Sequence, residues 1–198
     1  MIASTAEFGS DDEETVEVHL QPRTAEEVSR RVIALVLVSV RAFNIDSPPS
    51  TEWAKELGIS SLLSEQEASF FSDPEPACQT VVNFTWRSEA LVPLMWALGV
   101  IDEMPPLNQQ VSWGDIGCMD PLFEDPQAFI TSARLRPPED IEALEADLFH
   151  QHWRVRDAQY RQVPVPEDLN ASIVYERRYA ASWLVGYGDD WDEVPTDT

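Results

Sequence analysis

Lysine is almost missing from this chain: of 13 basic residues among 198, only Lys55 is not an arginine. The basic side is thin altogether, because 36 aspartates and glutamates leave a formal charge of −23. A field of that sign repels nucleic acid and anionic membrane surfaces, so neither is expected as a partner. Cysteine is scarce too. Cys78 and Cys118 show no CxxC or ligand-like spacing, which argues against a disulfide framework and for free, buried thiols in a reducing compartment. The longest apolar run, Val32 to Val40, is far shorter than the ~20 residues of a membrane span. No basic region followed by an apolar stretch opens the sequence, so a secretory leader is not expected and the cytoplasm is the expected location.

Chemical motifs are equally sparse. There is no GxSxG, no phosphate-cradling glycine loop, and neither cysteine lies beside a histidine in sequence. His150 and His152 stand two apart, which on a helix sends them to nearly opposite faces, whereas a helical zinc pair wants a spacing of four. The tail Gly188, Asp189, Asp190, Trp191, Asp192, Glu193 lacks the spacing of a hand-type calcium loop. No metal and no cofactor are expected.

What is present is apolar: 43% of the residues are hydrophobic and seven are tryptophan. Acidic disordered tails lack such residues, so a folded globule is implied, of a length suited to one domain. Residues 1–22 read as an acidic arm closed by a short edge strand at Val16, Val18 and Leu20. Residues 23–198 read as a single, mainly α, bundle-like domain with a long irregular loop and at most that one short strand.

Four long helices are predicted: Thr24 to Asn44, Ala77 to Leu98, Pro138 to Tyr160 and Leu169 to Tyr187. Thr24 with Glu27 forms a capping box for the first, although its β-branched run leaves a buried strand as the alternative. The second carries Pro93, which cannot donate to the Glu89 carbonyl, so either a kink there or a side chain or water on that carbonyl is expected. Pro137 and Pro138 before Glu139 and Asp140 start the third, as the helix dipole favours. Shorter helices are expected from Thr51 to Leu57, ended by Gly58, and after a second capping box at Ser64 and Glu67. Trp86, Trp96, Trp153 and Trp183 are expected in the core. Asp102 to Pro126 has no period and many prolines and glycines, so it reads as a long anchored loop, a place where binding surfaces concentrate.

Thr85-Trp86-Arg87-Ser88-Glu89-Ala90-Leu91, then Leu94 and Trp96-Ala97-Leu98-Gly99, Leu135-Arg136, Trp153, Glu176-Arg177, Trp183-Leu184 and Trp191-Asp192, with Asp197-Thr198, form a pattern. From about Arg23 onward it resembles the bacterial domain-of-unknown-function family numbered 4272. The resemblance implies a mainly helical, cytoplasmic bacterial domain and assigns no reaction or catalytic residue. The arm before Pro22 lies outside it.

Two functions are therefore weighed. The first is a non-enzymatic acidic interaction protein that binds a basic protein partner, an immunity-type protein shielding a toxin's charged cleft being one form. Its expected contact residues are Trp113, Asp115, Phe123, Glu124 and Asp125 in the loop and Asp189, Asp190 and Trp191 in the tail, acids for steering and aromatics for anchoring. The alternative is an enzyme, most plausibly a hydrolase, with a carboxylate and arginine site at Arg87, Glu89 and Asp102. Glu89, Asp102 and Glu176 are the carboxylates expected to turn inward, more simply to pair with arginines such as Arg87 or Arg177 than to move protons.

Overall fold

Thr24 starts the first helix in the way its sequence predicts. In the computed structural model, which describes residues 20–44, 49–112, 122 and 124–196, helix α1 spans Ala25–Phe43. The Glu27 amide donates to Thr24 Oγ1 at 3.3 Å while the Thr24 amide donates to Glu27 Oε2 at 2.8 Å. Those bonds from Thr24 hold the Glu27 carboxyl below its ordinary pKa. Every side chain from Val32 to Val38 is sealed from solvent. A helix this apolar on all sides belongs at the centre, and burial at about 1.5–3 kcal/mol per large aliphatic side chain outweighs the weak helix propensity of its valines. The strand alternative for this run is thereby removed.

Short elements wrap that centre. Ser50 caps α2 (Thr51–Glu56), accepting from the Trp53 amide, and Gly58 follows at φ 72°, a left-handed turn that glycine permits. A 3-10 turn, Ile59–Leu62, leads to α3 (Glu65–Ser72), which opens on the Ser64–Glu67 capping box.

The predicted helix Ala77 to Leu98 is two helices, α4 (Cys78–Trp86) and α5 (Ser88–Ala97). The break falls at Arg87, not at Pro93, which α5 carries without interruption. Local side-chain bonds explain the position: Thr85 Oγ1 donates to the Val82 carbonyl at 2.7 Å and Ser88 Oγ to the Thr85 carbonyl at 2.8 Å, competing with the helical ladder. The consequence is a division of labour. No residue of α4 is buried, whereas Ser88 to Met95 of α5 all are. Cys78, expected inside, is exposed at the first residue of α4.

Helix α6 (Pro126–Ser132), which was not predicted, begins where the predicted loop ends, with Asp125 accepting the Ala128 amide at 2.9 Å as its cap and Pro126 in its first turn. Helix α7 (Pro138–Tyr160) keeps its predicted bounds and buries only Ile141, Leu148, His152, Val155 and Ala158. Trp153 faces outward at 48% exposure, stacked on His150, which corrects its placement in the core. Helix α8 (Ala171–Leu184) begins later than predicted because the side chain of Asn170 accepts the Ser172 and Ile173 amides.

The layers run from α1 to α5, from α5 to α8 and from α8 to α7, with α3, α4, α6 and the Ile59–Leu62 turn closing over α1. Among the described residues there is no strand, and the predicted strand segment Val16 to Val18 lies outside them. The fold is one mainly helical domain.

Two arginines secure this stack by the same device. Arg136 donates from Nε to the Trp96 carbonyl at 2.7 Å and from its amide to Ala97 at 2.8 Å, and its guanidinium lies 4.7 Å from the Trp96 ring centre. Arg23 repeats this on α8: Nε to the Trp183 carbonyl at 3.2 Å, its amide to Leu184 at 3.0 Å, and 4.9 Å to the Trp183 ring. Both supply cations to a helix C-terminus, where the dipole is negative.

Candidate functional site

Glu89 of α5 and Arg177 of α8 face each other where these helices pack, and neither side chain has any solvent exposure. Nε and Nη2 of Arg177 lie 2.9 and 2.8 Å from Glu89 Oε2. Glu89 Oε1 accepts the Val111 amide at 2.8 Å, and Arg177 Nη1 donates to the carbonyls of Pro105 and Pro106. The pair therefore nails the irregular stretch from Pro105 to Val111 onto the bundle. Every polar atom it spends this way is one it would otherwise leave unsatisfied in the interior.

A second pair lies beside the first, between Arg87, two residues before Glu89, and Glu176, the residue before Arg177. Arg87 Nη1 donates to Glu176 Oε2 at 3.0 Å, with its guanidinium 4.6 Å from the Tyr179 ring centre. Burial raises the pKa of Glu176 against the pull of the Arg87 charge. A third pair, Arg31 with Glu67, is buried beneath the Trp191 ring.

Over the Arg87–Glu176 pair opens a cleft of about 570 Å³. Three helices line it with stripes at helical spacing: Gln79, Val82, Asn83 and Trp86 from α4, then His152, Val155, Arg156 and Gln159 from α7, then Ser172, Tyr175 and Glu176 from α8. His152 Nδ1 stands 3.2 Å from Arg178 Nη1. A guanidinium only donates, so Nδ1 accepts and the imidazole hydrogen sits on Nε2. Burial, then the charges of Arg178 and Arg156, depress the His152 pKa to about 4.

Elsewhere three shallow, acid-lined grooves, each sharing a lining residue with the next, make up a trough. The first, between the Ile59–Leu62 turn and the start of α6, is lined by Glu56, Leu62, Glu124 and Asp125. Leu62 carries it into the second, where Asp189 and Asp190 stand. Asp190 carries it into the third, with Glu65, Asp192 and Glu193 beside Phe84, whose ring stacks on Phe70 at 4.1 Å. Arg30 and Arg31 reach the trough already paired with Glu26 and Glu67. Asp192 is structural: it accepts Ser64 Oγ at 2.7 Å and the Gln66 amide at 3.0 Å, holding the tail to the start of α3.

A family model, "Domain of unknown function (DUF4272)", matches residues 12–194. The chain belongs to that family. No curated protein and no solved structure matches it. The DUF4272 match begins earlier than the resemblance, so the end of the acidic arm lies within the family region instead of outside it.

In this DUF4272 chain the motif residues behind the resemblance are mostly scaffold. Trp86 walls the cleft, Arg87 and Glu89 pair with Glu176 and Arg177, and Trp96 and Trp183 receive the arginine caps. Arg87, Glu89 and Asp102 do not form a common site. Glu89 is sealed against Arg177, Arg87 faces the cleft, and Asp102 is exposed, offering only its carbonyl to Arg136. Of the expected contact residues, Glu124, Asp125, Asp189 and Asp190 line the trough. Trp113, Asp115 and Phe123 lie outside the described residues. Trp191 is buried at 5% exposure against Tyr179 and Trp183, with Tyr179 Oη donating to its carbonyl, so it anchors the tail and is not a free contact. Sequence reasoning missed the cleft: its stripes are polar, and polar stripes look like solvated helix faces. Among the described residues no group of three or more histidines, cysteines or carboxylates is placed to hold a metal, and no helix is long and apolar enough to cross a membrane.

Proposed function

We propose that this protein is a non-enzymatic interaction protein whose acid-lined trough receives a basic protein partner in the bacterial cytoplasm. The observation that carries the reading is that two acid clusters, Glu124–Asp125 and Asp189–Asp190, line neighbouring grooves that share Leu62. Internal use of arginine supports it. Arg23, Arg31, Arg41, Arg87, Arg136, Arg177 and Arg178 serve carbonyls, carboxylates or His152 inside the fold, so little positive charge remains outside to cancel the acids. A basic partner would be steered by the field, and its lysine or arginine stems would lie along Leu62 and Phe84. Neutralisation of a toxin's charged cleft is one form this would take.

The test is salt-dependent capture. The tagged protein should retain a basic protein from a lysate of its source at low ionic strength and release it as salt rises. Charge reversal at Glu124, Asp189 and Glu193, none of which caps a helix, should slow association at least tenfold while melting behaviour stays that of the parent. A partner that binds both proteins at the same rate, indifferent to salt, refutes the trough as its site.

A further inference from the structure

We propose that the cleft between α4, α7 and α8 binds a small organic carboxylate that also carries an N–H or O–H donor and an apolar body. The cleft shares no lining residue with the trough, so this site stands or falls separately.

Two of its polar residues are more than nine-tenths buried yet keep an atom without a protein partner. His152, at 5% exposure, spends Nδ1 on Arg178 and keeps Nε2–H as a donor. Glu176, at 8% exposure, spends Oε2 on Arg87, and its Oε1 has no hydrogen-bond partner among the described residues. Both residues line the cleft, and these two atoms are open to it, so water or a ligand there can satisfy them. The cleft volume of about 570 Å³ lies within the usual range of small-molecule sites, roughly 300–1,000 Å³.

Charge selects the ligand. Arg87 and Glu176 cancel each other, and His152 stays neutral down to about pH 4. Arg156 is left, one helical turn after His152, with the neutral Gln159 amide as its side-chain partner at 3.3 Å. The charges lining the cleft therefore sum to +1, with Arg178 behind His152 adding to them, on a protein of net −23. A single guanidinium beside a neutral N–H suits a monoanionic carboxylate better than a dianionic phosphate. Glu176 Oε1 can only accept while ionised, so the ligand must present a donor to it. Trp86 and Tyr175 offer apolar ring surface for the remainder.

The experiment titrates N-acetyl-L-tyrosine, N-acetyl-L-phenylalanine and 3-phenyllactate into the full chain at low salt, each beside its neutral amide, with phenyl phosphate as a further probe. Binding is read by calorimetry and by ligand-observed NMR. At least one carboxylate should saturate with one site per chain, and its amide should bind at least tenfold more weakly. Arg156→Gln, at an exposed position that leaves the fold intact, should weaken that carboxylate at least tenfold. His152→Gln should weaken it as well. The proposal is overturned if none of the three carboxylates saturates, if Arg156→Gln binds them as the parent does, or if phenyl phosphate binds more tightly than all of them.

Discussion

Arg23, just before α1, and Arg136, just before α7, close two different helices with one geometry: Nε to a tryptophan carbonyl, the amide to the next carbonyl, and the guanidinium over that tryptophan's ring. The receiving sequences are Trp96-Ala97-Leu98-Gly99 and Trp183-Leu184-Val185-Gly186. Each ends in a glycine at positive φ, 69° and 104°. A short repeat of function thus hides in a chain with no visible repeat.

Arg136→Ala should remove three side-chain bonds to carbonyls and the ring contact together, lowering stability by about 2 kcal/mol. Arg136→Lys should restore less than half, because an ammonium cannot span the Trp96 and Ile101 carbonyls while lying flat on the indole. Urea unfolding of the three proteins measures the difference, and equal midpoints for parent and alanine variant would contradict the capping role.

The two glycines should not tolerate alanine equally. At Gly99 a Cβ would meet open space, so Gly99→Ala should cost only the left-handed strain, about 1 kcal/mol. At Gly186 the Cβ would stand 2.5 Å from the Gln21 carbonyl oxygen, and that backbone must move. Gly186→Ala should cost at least about 2 kcal/mol and loosen the segment before α1. Thermal unfolding orders the pair.

Removing one partner of the Glu89–Arg177 pair leaves a buried charge uncompensated. Arg177→Met should destabilise by about 3–5 kcal/mol and release the Pro105 to Val111 stretch, seen as faster proteolysis there. The double variant Arg177→Met with Glu89→Leu should recover part of the loss in global stability, without restoring protection of that stretch, which depends on their hydrogen bonds.

His152 makes stability depend on pH. Its pKa falls from 6.5 in the unfolded chain to about 4 in the folded one. Its contribution is therefore whole above 6.5 and is lost as pH falls toward 4, where the unfolded chain takes up a proton and the native protein does not. The loss amounts to at most about 3 kcal/mol. Unfolding free energies followed from about pH 7.5 to about pH 4.5 should decline less steeply in His152→Gln than in the parent.

Trough acids should separate into structural and free. Asp192→Ala removes the bonds to Ser64 and Gln66 and should cost about 1 kcal/mol, whereas Glu193→Ala should leave stability unchanged. Denaturant midpoints decide it, and equal effects would mean that the tail is not held by Asp192.

Much of the secondary structure was legible because its signals are local. Thr24 with Glu27, Ser64 with Glu67, Gly58, and Pro138 before Glu139 mark ends through bonds that reach at most four residues, and each mark fell where a helix begins or ends. The miss at Arg87 has the same scale. Thr85 and Ser88 held the competing hydroxyls, but Pro93 was the louder signal.

The site was less legible. Glu89 and Glu176 were foreseen as partners of arginine, yet Arg87, Glu89 and Asp102 are close in sequence and have different surroundings. Trp191 looked like a free anchor because its neighbours are acids, and only the packing of Tyr179 and Trp183 against it makes it core.

By itself, then, the sequence determined the helical class, most helix ends and the negative field, since propensity, capping and net charge are properties of residues and their near neighbours. Which arginine meets which carboxylate, that Glu124 and Asp189 share one trough, and that three polar helix faces close into a cleft were decided only by tertiary structure. Those outcomes depend on how helices far apart in the chain are rotated about their axes. That rotation is set by the packing of α1, α5 and α8 together, and no local pattern encodes it.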